Sequence, residues 1–123
     1  MGRVRSKDTR PEMAVRRLVH SMGFRYRLHS KTLPGCPDLT FPSRRRVIFV
    51  HGCFWHRHAC PAGTLPKSNR DYWEQKQNRN AARDKKTVRA LRRLGWKVLI
   101  IWECKLKNGK GLQRRLRQFL ADE

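Results

Sequence analysis

Residues 51–60 read His-Gly-Cys-Phe-Trp-His-Arg-His-Ala-Cys, so three histidines and two cysteines fall within ten positions. Such density favours a metal site over scattered thiols. Zinc takes four tetrahedral thiolate or imidazole ligands. Cys53, Cys60 and one of His56 and His58 supply three of them, and spacing alone leaves that choice of histidine open. Cys104 is the candidate fourth ligand, which would make the site closed and structural. Two disulfides are the other use of four cysteines, but nothing in the sequence points to secretion and the histidines favour metal. Cys36 stands apart in a turn and reads as an ordinary thiol.

The acids are scarce and therefore informative: nine Asp+Glu stand against thirty Lys+Arg. Asp38 follows a Pro-Gly-Cys-Pro turn and opens a strand, a place where metal-dependent nucleases present a carboxylate. Phosphodiester cleavage needs a hard divalent cation to polarise phosphate and activate water. Asp38 is suited to hold one, with a main-chain oxygen from near Val50 beside it. Glu12 has two readings, a helix-capping residue or a second acid of the site. Asp84 either orients a histidine or pairs with Lys76 or Arg83. A histidine of the cluster, with a pKa near neutral, can accept the proton of an attacking water. Phe54 and Trp55, adjacent aromatics inside the cluster, read as core residues or as wedges that unstack base pairs.

A net charge of +21 on 123 residues makes a polyanion the natural partner. The longest apolar run, Val98 to Trp102, is far short of the ~20 residues of a membrane span. The first ten residues are charged and do not form a signal peptide. A cytoplasmic, nucleoid-associated protein is therefore expected. Charge alone does not separate a nucleic-acid coat protein from an enzyme. The length and the 38% hydrophobic content suit one domain, residues 1–123, with one modest core.

The elements that must position these residues follow from periodicity. Thr9-Arg-Pro-Glu12 is a capping box, and Val15, Leu18, Val19 and Met22 continue a helix that Gly23 stops. Phe24 to His29 alternates like a half-buried strand, and Asp38 to Phe41 forms a second. Val47 to Val50 is a continuous apolar run, typical of a central strand. A long helix runs from near Ser68–Asp71 to Gly95, with Tyr72, Trp73, Lys76, Asn80, Asp84, Val88, Leu91 and Leu94 on related faces. Its middle, Gln77 to Lys86, is oddly polar for a packing face. Trp96 to Trp102 is a fourth strand, and Leu112, Leu116, Phe119 and Leu120 mark a last helix. The order αβββαβα predicts an α/β sandwich around a small mixed sheet. The crossover helix makes strands three and four parallel, which would bring the cluster and Cys104 to one sheet end.

Several of these segments together resemble the very short patch repair (Vsr) mismatch endonucleases. They are Thr9-Arg-Pro-Glu12, Leu33-Pro-Gly-Cys-Pro-Asp38, Val47-Ile-Phe-Val-His-Gly-Cys-Phe-Trp-His56, Arg83-Asp84, Leu94-Gly-Trp96 and Trp102-Glu-Cys104. The resemblance implies a restriction-endonuclease-like fold. It also implies Mg2+-dependent nicking of one strand, 5′ to the thymine of a T·G mismatch left by deaminated 5-methylcytosine. By the same resemblance Asp38 binds Mg2+ with the Val50 carbonyl, and Glu12 reaches the waters around it. His56 is the general base, supported by His51 and Asp84. The zinc set becomes Cys53, His58, Cys60 and Cys104. Phe54 and Trp55 intercalate beside the mismatch, and Met1 stands where the family's N-terminal arm carries a wedging methionine. The implied partner is mismatched double-stranded DNA, bound by a monomer, with repair proteins as further candidates. A same-fold nuclease of other preference and a non-catalytic zinc DNA-binding module remain the alternatives.

Overall fold

The computed structural model describes residues 9–52 and 68–121. The first helix, α1 (Arg10–Ser21), begins where Thr9 turns extended and its hydroxyl accepts the Glu12 amide at 3.3 Å. Pro11 sits in the first turn, where no intrahelical donor is lost. Glu12, Val15 and Val19 form one buried stripe at i, i+3 and i+7. The same periodicity that drives α1 onto the sheet thus delivers a carboxylate to it. Gly23, at φ +87, ends the helix in the left-handed region that glycine enters without steric cost.

Four strands follow in the order β1-β2-β3-β4: β1 (Arg27–Leu28), β2 (Leu39–Phe41), β3 (Arg46–His51) and β4 (Lys97–Trp102). The pairs β1/β2 and β2/β3 are antiparallel, with Leu28 opposite Leu39 and Leu39 opposite Ile48. As the sequence predicts, β3 and β4 are parallel, and His51 lies opposite Trp102 at their shared C-terminal end. The crossover between them includes α2 (Arg70–Arg93). A 3-10 turn (Glu103–Lys107) leads from β4 into α3 (Gly109–Ala121).

Alternation along β3 sorts the core into two layers. Ile48 joins Val15, Val19, Leu39, Phe41, Leu99, Ile101, Leu112, Leu116 and Leu120 under α1 and α3. Val47 and Phe49 point the other way, to Leu91 of α2. The expected helix–sheet–helix sandwich is what forms.

Two expectations are corrected. The predicted strand Phe24–His29 shrinks to Arg27–Leu28, both exposed, although Phe24 and Tyr26 still pack against the core. Its partner β2 lies between Pro37 and Pro42, which lack the N–H a ladder needs, so β1 has little to pair with. The face expected for α2 holds in large part: Leu91 is buried, and Trp73, Asn80, Asp84 and Val88 are half-buried. The correction is at Tyr72, Lys76 and Leu94, which are exposed, and at Gln77, which is buried in their stead. The polar middle of α2 carries Asp84 to the sheet end where His51 stands.

Candidate active site

Among the described residues, Glu12, His29, Asp38, His51 and Asp84 lie about Val50 and His51 at the C-terminal end of β3. Asp38 sits just before β2, and its carboxylate accepts the Val50 amide at 2.7 Å. The hydrogen bond seen at Val50 is therefore made by its N–H. A strand residue turns its N–H and C=O to the same edge, so the carbonyl expected as a metal ligand faces Asp38's side of β3. Glu12 is 2% exposed, and its Oε2 accepts from Arg16 Nη2 and meets His29 Nε2, each at 2.9 Å. Only the Thr9 half of the capping box is closed: the Glu12 amide uses the threonine, while its carboxylate is committed to these two partners. One ligand atom each from Glu12, His29 and Asp38 lies within 4.8 Å of the others.

Two carboxylates this close, Glu12 buried and Asp38 half-buried, cannot both be charged cheaply. The Asp38 carboxyl stands raised from 3.8 to about 7, with burial the largest cause. The Val50 amide pulls it back, the charge of Glu12 and a hydrogen bond with it raise it further, and His29 lowers it. A divalent cation would replace the retained proton and relieve the repulsion. The donor set, two carboxylates beside a strand-edge carbonyl, is the hard oxygen set that Mg2+ takes.

A pH prediction follows directly. Without a divalent cation, the folded protein keeps a proton on Asp38 that the unfolded chain releases above 3.8. The stability that this one group contributes is then highest at the acid end and falls as pH rises from about 4 to about 7, levelling off above. Between roughly pH 5 and pH 7.5 the wild type should lose more thermal stability than Asp38→Asn, in Mg2+-free buffer. Parallel melting curves for the two proteins would contradict the burial of this carboxylate.

On the other side of β3, His51 is 6% exposed and its Nδ1 lies 3.8 Å from Asp84 Oδ2. The imidazole also meets Trp102 edge-on, with ring centroids 5.2 Å apart. Asp84 faces a histidine across 3.8 Å, the arrangement that one of its two readings expects. Consecutive residues of one strand thus serve two partners: the Val50 backbone fixes Asp38, and the His51 ring faces Asp84.

His29 was not singled out by sequence reasoning. The signal was in the hairpin register, since Leu28 opposite Leu39 continues to His29 opposite Asp38, where the His29 amide donates to the Asp38 carbonyl at 3.2 Å. Cys104 lies in the 3-10 turn after β4, two residues beyond Trp102. Cys36 is exposed. Met1, Cys53, Phe54, Trp55, His56, His58 and Cys60 lie outside the described residues.

Comparison with known proteins decides the family. The model of the family "DNA mismatch endonuclease Vsr" matches residues 1–62. The DNA mismatch endonuclease Vsr of Escherichia coli is 35% identical over 128 residues, spanning 100% of this chain and 82% of that protein. The chain belongs to the Vsr family of DNA mismatch endonucleases. It is a DNA endonuclease. A second relative, the type II nicking enzyme V.XorIIP of Xanthomonas oryzae, is 57% identical over 120 residues, covering 98% of this chain and 88% of that one. The catalytic domain of the homing endonuclease I-Bth0305I shares the fold. Its TM-score is 0.66 at 18% identity, over 93% of this chain and 96% of that domain. No helix among the described residues is long and apolar enough to cross a membrane.

Proposed function

We propose that this Vsr-family chain nicks one DNA strand 5′ to the thymine of a T·G mismatch, using Mg2+ held by Asp38 and the Val50 carbonyl, with Glu12 reaching the waters around it. The observation that carries this reading is the acid pair itself. In a chain of +21, the buried Glu12 and the half-buried Asp38 lie together, and their setting raises the Asp38 carboxyl to about 7. A structural role does not need that costly arrangement, whereas phosphate hydrolysis through a hard cation does. Bound there, Mg2+ supplies charge that polarises the scissile phosphate and eases deprotonation of water.

The chain's own residues do the rest. Asp38 is held in place by the Val50 amide, so the carboxylate does not swing when the DNA arrives. Glu12 is fixed by Arg16. His51 and Asp84 form the supporting pair on the opposite side of β3. His56 is the proposed general base, taking the proton of the attacking water. Cys53, His58, Cys60 and Cys104 are the proposed zinc ligands, and their thiolate and imidazole donors suit a closed tetrahedral site. The turn at Cys104 leaves β4 beside the end of β3, where such a zinc would tie the chain after His51 to the sheet. Phe54 and Trp55 are proposed to wedge beside the mismatch, with Met1 in the wedging position of the N-terminal arm, on a monomeric protein.

The test maps nicks on end-labelled duplexes that carry each mismatch in several contexts. Nicking confined to T·G, on the thymine strand and 5′ to that base, supports the proposal. The Xanthomonas relative's name, type II nicking enzyme, makes cleavage set by flanking sequence instead the most informative contrary result.

The charge predicts steep salt dependence. With ~6–10 phosphate contacts, affinity should fall by about 10³–10⁵ between 50 and 200 mM salt. Anisotropy titrations of a labelled duplex measure this, and a flat response would contradict the phosphate-dominated binding that +21 implies.

A further inference from the structure

His29 is the polar side chain at the acid pair that the chemistry above leaves unused. It is tied to both acids at once, through its ring to Glu12 Oε2 at 2.9 Å and through its backbone amide to the Asp38 carbonyl at 3.2 Å. Its backbone sits at φ +46, in the left-handed region that costs a residue with a Cβ roughly 1–2 kcal/mol. Such strain persists only where the surroundings enforce it, and it is commonest at functional sites. The side chain is 14% exposed, so water reaches the ring only in part.

The spacing that makes a hydrogen bond here also suits neighbouring donors of a coordination sphere. Around an octahedral cation with ligand distances of ~2.1–2.3 Å, neighbouring donors stand ~3.0–3.2 Å apart and opposite donors up to ~4.6 Å. The 2.9 Å between His29 Nε2 and Glu12 Oε2 matches the first spacing to within small shifts. All three donors lie within 4.8 Å of one another, close enough to share one cation after small shifts. The ring nitrogen can therefore exchange the Glu12 carboxylate for a cation with little movement, while Arg16 keeps Glu12 in place. An imidazole donor changes which metals are favoured. Mg2+ prefers oxygen, whereas Mn2+ and Co2+ accept nitrogen and rank higher in general affinity.

We propose that His29 is a direct ligand at this site, completing a Glu12–His29–Asp38 set that binds Mn2+ and Co2+ more tightly than Mg2+. The proposal rests on the reading of Asp38 and Glu12 as the catalytic metal site. Its test is pulsed EPR of Mn2+ bound to the zinc-replete protein, with affinities measured in parallel. Wild type should show ¹⁴N coupling from a histidine, and His29→Gln should lose it. The same variant should weaken Mn2+ binding by about 10-fold or more, and Mg2+ binding by less than Mn2+ binding. Bound Mn2+ without ¹⁴N coupling in the wild type overturns the proposal with no variant needed. Equal loss of Mn2+ and Mg2+ affinity in His29→Gln overturns it too, because that pattern marks a residue that only positions Glu12. Asp38→Asn separates the two levels: if it binds Mn2+ like wild type, the acid pair is not the metal site and both readings fall.

Discussion

Asp38→Asn is expected to lower nicking by about 10³-fold or more while leaving the protein folded. Losing the cation's grip on the scissile phosphate removes several kcal/mol of transition-state stabilisation, and about 4 kcal/mol corresponds to 10³ in rate. Little structural loss should accompany it. The Asn side chain keeps an oxygen for the Val50 amide and removes a carboxyl whose charged form is penalised by burial beside Glu12. At about pH 8 in Mg2+-free buffer the variant should therefore melt above the wild type, as expected of a residue retained for chemistry at a cost in stability. Single-turnover nicking and thermal melts measure the two effects. Wild-type nicking by this variant would remove Asp38 from the chemistry. Unfolding of the variant would mean that the carboxylate stabilises the fold.

The second large effect concerns zinc. Cys104→Ser should lose stoichiometric zinc and several kcal/mol of stability, because binding of a structural zinc is coupled to folding. For a chain of this size that is a fall of about 10 °C or more in melting temperature. Cys36→Ser is the matched control, since Cys36 is an exposed turn thiol. It should keep zinc and stability. Metal analysis of the two purified variants reads the result. Equal zinc in both would exclude Cys104 from the metal set, and less than about one zinc per wild-type chain would remove the site altogether.

Legibility in the sequence followed how local each determinant is. The α1 stripe was plain because capping and the 3.6-residue period are local, and the same period placed Glu12 on the buried side. The parallel pairing of β3 and β4 followed from the long helix between them. The extent of β1 was not legible, because it depends on a partner strand confined between two prolines. Neither was the role of the Glu12 carboxylate, which a capping motif explains equally well until Arg16 and His29 are seen to hold it. His29 looked like the last residue of an alternating strand. Only the register and its left-handed backbone turn it toward the acids. The polar middle of α2 conflicted with helix packing because its context is the tertiary site at His51 rather than an apolar core.

The most direct test of the catalytic reading is the single-turnover rate on one T·G duplex and on its T·A counterpart, at saturating enzyme, with and without added Mg2+. Nicking of the T·G duplex alone, and only when Mg2+ is present, is the expected result. Equal rates on the two duplexes, or undiminished nicking without Mg2+, would contradict it.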